Sequence, residues 1–301
     1  MFPQATSLKT FNIFSSLLIV LSNLLISKLR LDIWLLKSTK RFSNSEIDSK
    51  LNELSFVKVS RSAQISFTKK YTKVYLFLDH VNSSQFNGIL GILPDNVSGK
   101  VTITGDAKIV LKNAFTKGEQ ISLNWRKLQS LTQDLDISIN YPFMFQGPLG
   151  VDGKLKVYKR DTSYIELQQR LGLQYLLSGG NYLMVFFDNY SSSLLDASKY
   201  ASSSVLPPFA DVKFKQYGIA IKQSKLDYLI NPRKGIKFDF TGSAGNKIIN
   251  KNPELNEVLY DDVTLNSFQL KFESTLSYFL AIGKQSTVLL KVRSGQIINK
   301  Q

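Results

Sequence analysis

The chain has 301 residues, no cysteine and one histidine, and its formal net charge is +15 at neutral pH. The lack of cysteine excludes disulfides, thiolate metal sites and a cysteine nucleophile, and one histidine leaves no room for a histidine metal cluster. The lysines are spread singly through alternating segments, whereas a nucleic-acid binder concentrates them in one patch. We therefore expect no enzyme, no metal or other cofactor, and no nucleic-acid partner.

Residues 1–42 receive no firm assignment from the sequence. The run from Phe11 to Ile26 is apolar but is interrupted by serine and asparagine. It is shorter than the roughly 18 to 20 residues that a membrane-spanning helix needs. Three interpretations stay open: a signal-peptide core, a buried amphipathic helix, or a start site placed too far upstream.

A small α/β module is predicted over residues 43–82. Ser43 and Glu46 have the spacing of a capping box, which predicts the start of a short helix. Two strand-like runs follow the helix, Val57 to Thr68 and Val74 to Val81. A module of this size buries little apolar surface by itself.

Residues 83–301 alternate between apolar and polar side chains with period 2. In Val101 to Lys112, for example, Val101, Ile103, Ala107, Ile109 and Leu111 share one face, and Asp106 and Lys108 share the other. The pattern predicts about eleven strands, at 86–94, 100–112, 119–128, 134–143, 150–159, 164–178, 181–191, 212–226, 235–244, 265–279 and 286–296. Such strands are long for a soluble sandwich and suit a tilted crossing of a membrane.

The connections between the predicted strands differ in length. The seventh, Ser192 to Asp211, and the ninth, Gly245 to Thr264, are long and polar, whereas Gly179-Gly180 marks a tight turn. In a meander, odd and even connections lie at opposite ends of the strands, so long loops and short turns separate as in outer-membrane barrels. Aromatic residues near strand ends are predicted to lie at the membrane interfaces or, as the alternative, to be ordinary core residues: Phe143, Phe145, Tyr164, Tyr182, Tyr278 and Phe279.

Several short motifs follow one another in a recognisable order. They include Gln85-Phe86-Asn87-Gly88-Ile89-Leu90-Gly91, Leu123-Asn124-Trp125-Arg126, Leu206-Pro207-Pro208-Phe209-Ala210-Asp211 and Leu226-Asp227-Tyr228-Leu229-Ile230-Asn231-Pro232-Arg233-Lys234-Gly235. In this order the sequence resembles the outer-membrane protein assembly factor family, the BamA-like surface-antigen barrels. The resemblance implies an all-β fold, an antiparallel transmembrane β-barrel meander, preceded by a partial polypeptide-transport-associated (POTRA) module at 43–82.

The resemblance also implies a function without catalytic residues. In the family, the first barrel strand pairs weakly with the last, and this lateral seam opens to template a strand of an unfolded client by β-augmentation. The residues implied to form the seam strand are Phe86, Gly88, Ile89, Leu90 and Gly91. A second stretch is implied to be a periplasmic turn, formed by Asp227, Asn231, Pro232, Arg233 and Gly235.

The partners implied are outer-membrane lipids, unfolded β-barrel client proteins and accessory assembly proteins, in the outer membrane of a Gram-negative-type cell. The family barrel has sixteen strands, of which about eleven are recognised here, so we expect a truncated copy or a barrel completed by a second chain. Gly88 and Gly91 fit either a weakly held edge or a bulge in the first strand.

Two other functions stay open at this point. One is a passive outer-membrane pore or secretion transporter, in which lumenal cations favour anions; the candidates are Lys108, Arg126, Lys154, Lys156 and Lys271. The other is a soluble β-sandwich, in which a second protein layer covers the apolar faces of the strands.

Overall fold

A computed structural model describes residues 17–22, 57–67, 72–80, 83–94, 101–129, 131–145, 147–201, 203–228, 231–283 and 285–300. The strands are β1 Leu17–Ser22, β2 Val57–Phe67, β3 Thr72–His80, β4 Gln85–Pro94, β5 Val101–Lys112, β6 Gln120–Gln129, β7 Thr132–Met144, β8 Leu149–Arg160, β9 Tyr164–Leu176, β10 Tyr182–Leu194, β11 Val212–Leu226, β12 Gly235–Ile249, β13 Asn266–Ile282 and β14 Ser286–Lys300. Short 3₁₀ turns occupy Ser178–Gly180, Ala197–Tyr200 and Glu257–Tyr260. Within these ranges no helix is long and apolar enough to cross a membrane.

The first three strands form a small sheet of their own, in the order β1-β3-β2. Strand β2 is antiparallel to β3, and β1 is parallel to it. The two strands predicted before residue 82 are thus confirmed, whereas the helix predicted after Ser43 lies outside the described residues. Because Leu17–Ser22 is a strand, the amphipathic-helix interpretation of the run from Phe11 to Ile26 is wrong there. The POTRA assignment stays a prediction.

Strands β4 to β14 form one eleven-stranded antiparallel sheet in chain order. The eleven predicted strands are confirmed, and they are 10 to 17 residues long. Each inner strand pairs with the strand before it and the strand after it, as expected of a meander. Strands β4 and β14 lie at the two edges, and each pairs on one side only within the described sheet.

The alternation gives this sheet an apolar face and a polar face. On the apolar face, Ala107, Trp125 and Leu135 form one row across β5, β6 and β7. The polar face carries the charged residues of the same strands: Asp106, Lys108, Arg126, Asp134, Asp136, Lys154 and Lys156. Among the described residues no second layer covers the apolar face, where Val101 is 66% exposed and Leu173 58% exposed. The soluble sandwich therefore lacks the covering layer that it requires.

The two ends of the sheet differ in their connections. The long-loop rim carries the connections 195–211 and 250–265, together with the short connections 130–131 and 161–163, and the short-turn rim carries 113–119, 145–148, 177–181, 227–234 and 283–285. The predicted asymmetry of the two rims therefore rests on two long loops. The two long connections pack on each other through one hydrophobic cluster, formed by Ala197, Val212, Ile249, Leu255 and Tyr260.

The aromatic residues near strand ends divide into two groups. Phe145 is 88% exposed and Tyr278 44% exposed, as expected at a membrane interface. Tyr164, in contrast, is 8% exposed and stacks on Phe209 with 4.0 Å between ring centroids. Tyr182 lies on the polar face and packs against the cluster of Met184 and Phe186. The interfacial prediction is therefore wrong for Tyr164 and Tyr182.

Candidate functional site: the open edge, the short-turn rim and the polar face

The predicted seam residues form an edge strand. Strand β4 pairs with β5 from Gln85 opposite Val110 to Pro94 opposite Val101, without a register shift. Gly88 and Gly91 therefore do not mark a bulge. The side chains of this strand are highly exposed, with Phe86 at 77%, Ile89 at 73% and Leu90 at 76%.

The edge strand β4 lacks the protection that exposed sheet edges usually carry. Natural edges are blunted by charged side chains, especially lysine, which hinder pairing with another strand. Strand β14, at the opposite edge, has Lys291 and Arg293 in its middle, whereas β4 contains no charged residue. A Cβ atom added at Gly88 would come no closer than 3.5 Å to any neighbour. Packing therefore does not require glycine at that position.

The second predicted site is a turn on the short-turn rim. Asp227 is the first residue after β11. Its Oδ1 accepts hydrogen bonds from the backbone N–H groups of Tyr228 at 3.0 Å, Arg233 at 2.9 Å and Lys234 at 3.0 Å. Backbone hydrogen bonding, chiefly from Lys234, holds the pKa of the exposed Asp227 carboxyl below its ordinary value. The ionised Asp227 side chain therefore stabilises the folded chain. This stabilisation is fully present above the ordinary carboxyl pKa and is lost as the pH falls through the lowered pKa of Asp227.

The same turn reaches the neighbouring connection. Arg233 donates from Nη2 to the carbonyl oxygen of Gly283 at 2.9 Å, which joins the β11–β12 turn to the β13–β14 turn. Asn231 has φ of 54° and Gly235 has φ of 128°. A turn between two strands is thus confirmed at Asp227 to Gly235, and its periplasmic side stays a prediction.

A third feature, on the polar face, was missed by sequence analysis. Asp188 on β10 is 1% exposed, and it accepts hydrogen bonds from Arg170 Nη2 at 2.6 Å and Gln168 Nε2 at 3.1 Å on β9. On the other side, Gln216 Nε2 of β11 donates to Asp188 at 3.4 Å, and Ser243 Oγ of β12 donates to Gln216 Oε1 at 2.7 Å. The network crosses four strands and fixes their register from the polar face.

Most cations proposed to line a pore are already paired on the polar face. Arg126 lies 2.9 Å from Asp106, Lys154 lies 3.3 Å from Asp136, and Lys271 Nζ lies 2.9 Å from Glu273. Such pairing reduces the excess positive potential that an anion-selective lumen needs. In the described ranges, no group of three or more histidine, aspartate or glutamate side chains is placed to hold a metal ion.

The predicted site residues are not brought together. The seam strand lies at one edge of the sheet, and the Asp227 turn joins β11 to β12, which are separated from β4 by six and seven further strands. The two features can therefore act on the same process only through the sheet as a whole. The Asp188 network lies between them, on β9 to β12.

No protein-family model and no curated protein sequence matches this chain. Among solved structures, it is similar to the crystal structure of BamA from Haemophilus ducreyi lacking POTRA domains 1-3. The TM-score is 0.46 and the sequence identity is 13%, over 84% of this chain and 48% of that one. The chain thus spans about half the length of that structure.

Proposed function

We propose that this chain is part of an outer-membrane β-barrel that assembles or inserts client β-barrels by templating their strands at the edge of β4. The observation that carries the proposal is a two-faced sheet whose apolar face is uncovered and whose uncharged edge strand β4 pairs on one side only. The proposal includes a Gram-negative-type outer membrane, with the Asp227 turn toward the periplasm.

The dimensions of the apolar face support membrane placement. On β11, the apolar face shows Tyr217, Ile219 and Ile221 between Lys215 at one end and Gln223 and Lys225 at the other. Eight residue steps separate Lys215 from Gln223, which corresponds to roughly 26 Å along a strand, or about 20 Å along the membrane normal at a tilt of about 40°. That is slightly less than the roughly 25 Å height of the apolar band of outer-membrane barrels.

The edge of β4 supports the templating role. Alternate residues of an edge strand direct their N–H and C=O groups away from the sheet. In a hydrocarbon layer each unsatisfied backbone group costs several kcal/mol, so a client strand that pairs there removes a large penalty. Strand β4 carries no charge to oppose such pairing, and its one proline, Pro94, is the last residue of the strand.

Cysteine crosslinking tests the templating role directly, because the chain has no cysteine of its own. We expect Ile89→Cys to form disulfides with single cysteines placed along the terminal strand of a β-barrel client during its insertion. Arg126→Cys is the matched control, since the Arg126 side chain is 51% exposed on the same polar face but lies on β6, which pairs on both sides. No adducts at Ile89 with several clients, or equal adducts at Arg126, would contradict the proposal.

A further inference from the structure

A groove on the apolar face lies over the middle of β9 to β13. Its volume is about 650 Å³, and its lining is almost entirely apolar, with Leu173, Val185, Ile219 and Phe272 among the lining residues. Gly242 forms part of the floor, because a Cβ atom there would lie 3.3 Å from the Phe240 ring and 3.4 Å from the Phe272 ring. The groove is open along the apolar face, so a ligand there would lie along the surface of the sheet.

Toward the long-loop rim the groove ends at an aromatic pair and then a polar row. The rings of Phe187 and Tyr217 are 5.1 Å apart, between centroids, at the end of the groove. One step further along the strands on the same face lie Gln169, Asn189, Lys215 and Asn246, in register across β9 to β12. Aromatic residues followed by polar ones are typical of the boundary between hydrocarbon and headgroups.

Two lysines stand directly above the groove on the apolar face. Lys213 and Lys215 are exposed, and they are two residues apart on the strand that contributes Tyr217 and Ile219 to the groove. Neither lysine forms an ion pair with a described residue. The described strands β9 to β12 place no acidic side chain on this face. The lysines therefore offer two positive charges about 7 Å apart at the end of an apolar groove. The acidic side chains described at this rim, which include Asp211, Glu254 and Glu257, lie in the two long connections.

We propose that this groove binds an anionic, phosphate-bearing lipid of the surrounding membrane, with an acyl chain in the groove and the phosphate between Lys213 and Lys215. The inference rests on the proposed membrane placement of the sheet. An acyl chain matches the apolar lining, and a phosphate with its negative charge matches the two lysine ammonium groups. A zwitterionic lipid fills the same groove but has no net charge to gain from the lysines.

Quenching by brominated lipids tests the site on the full chain in dodecyl maltoside micelles. A bimane label on Leu173→Cys reports on the groove, and a bimane label on Ile139→Cys reports on the same face at β7, away from the lysines. Brominated phosphatidylglycerol and brominated phosphatidylcholine are compared at the same low mole fraction. At Leu173 we expect an apparent affinity about five-fold higher for phosphatidylglycerol, and at Ile139 no preference.

Two variants separate the lysines from the groove. Lys213→Gln with Lys215→Gln is expected to abolish the preference while both lipids still quench. Ala244→Leu, which adds bulk to the groove lining, is expected to weaken quenching at Leu173 by both lipids. A preference that survives the loss of the lysines, or an equal preference at Ile139, would overturn the site. Quenching at both labels without any preference refutes the lipid site alone, and no quenching at either label refutes the membrane placement as well.

Discussion

Replacing Asp188 by asparagine is expected to lower the free energy of unfolding by about 3 kcal/mol. Asp188 is 1% exposed and binds Arg170 at 2.6 Å, so the substitution leaves a guanidinium without its counter-charge in a mostly enclosed site. The side chain of Arg170 is 29% exposed, which places the expected loss at the lower end of the range for buried pairs. Urea unfolding of the full chain in dodecyl maltoside micelles, followed by circular dichroism, measures the change.

A pair on the same face supplies the control for Asp188. Arg126 and Asp106 are 2.9 Å apart, but their side chains are 51% and 35% exposed. We expect Asp106→Asn to cost less than about 1 kcal/mol, because water already screens that pair. Replacing both Arg170 by methionine and Asp188 by leucine should restore much of the stability lost in the single variant. Equal small losses at Asp188 and Asp106 would show that the network does not hold the strands in register.

Gly235→Ala is expected to cost roughly 3 kcal/mol or more, because two separate effects act at this position. Gly235 has φ of 128°, which side chains rarely adopt, and an added Cβ would lie 2.1 Å from the carbonyl oxygen of Lys225. That oxygen belongs to the paired backbone of β11, so relief requires the two strands to separate at the turn. The same urea titration measures the loss.

Gly180→Ala separates the steric effect at Gly235 from the conformational one. Gly180 also has positive φ, 66°, but nothing lies within 4 Å of an added Cβ. We expect that variant to lose only about 1 kcal/mol, the ordinary cost of the left-handed conformation. If Gly235→Ala were no worse than Gly180→Ala, the close approach of the two strands at the Asp227 turn would be wrong.

The strands were predictable because period-2 alternation records which face each side chain occupies. Alternation is strong in β5 to β8, and the predicted bounds there agree closely with the structure. It fails after Thr241, where Gly242-Ser243-Ala244-Gly245 carries no hydrophobic signal, and the prediction ended β12 at residue 244. The strand continues to Ile249 because it pairs with β11 as far as Val212. Pairing with a neighbour, which a local pattern does not contain, sets that boundary.

The charged features were harder to predict than the strands. Asp188 follows Phe186-Phe187 and precedes Asn189, so the sequence suggests the end of an apolar run rather than the centre of a network. Its partners Arg170 on β9 and Gln216 on β11 are 18 and 28 residues away. The role of Lys213 and Lys215 was likewise not predictable from the sequence, because it depends on their position above a groove to which five strands contribute.

The central claim is that hydrocarbon contacts one face of the eleven-stranded sheet while water and charge occupy the other. Nitroxide side chains placed one at a time on the two faces, in the full chain in dodecyl maltoside micelles, test it through collisions with oxygen and with a polar nickel complex. We expect oxygen to reach positions 171, 173 and 175 of β9 preferentially and the nickel complex to reach positions 154 and 156 of β8, on the polar face. Shielding of positions 171, 173 and 175 from both reagents would reveal a second protein layer and contradict the membrane placement.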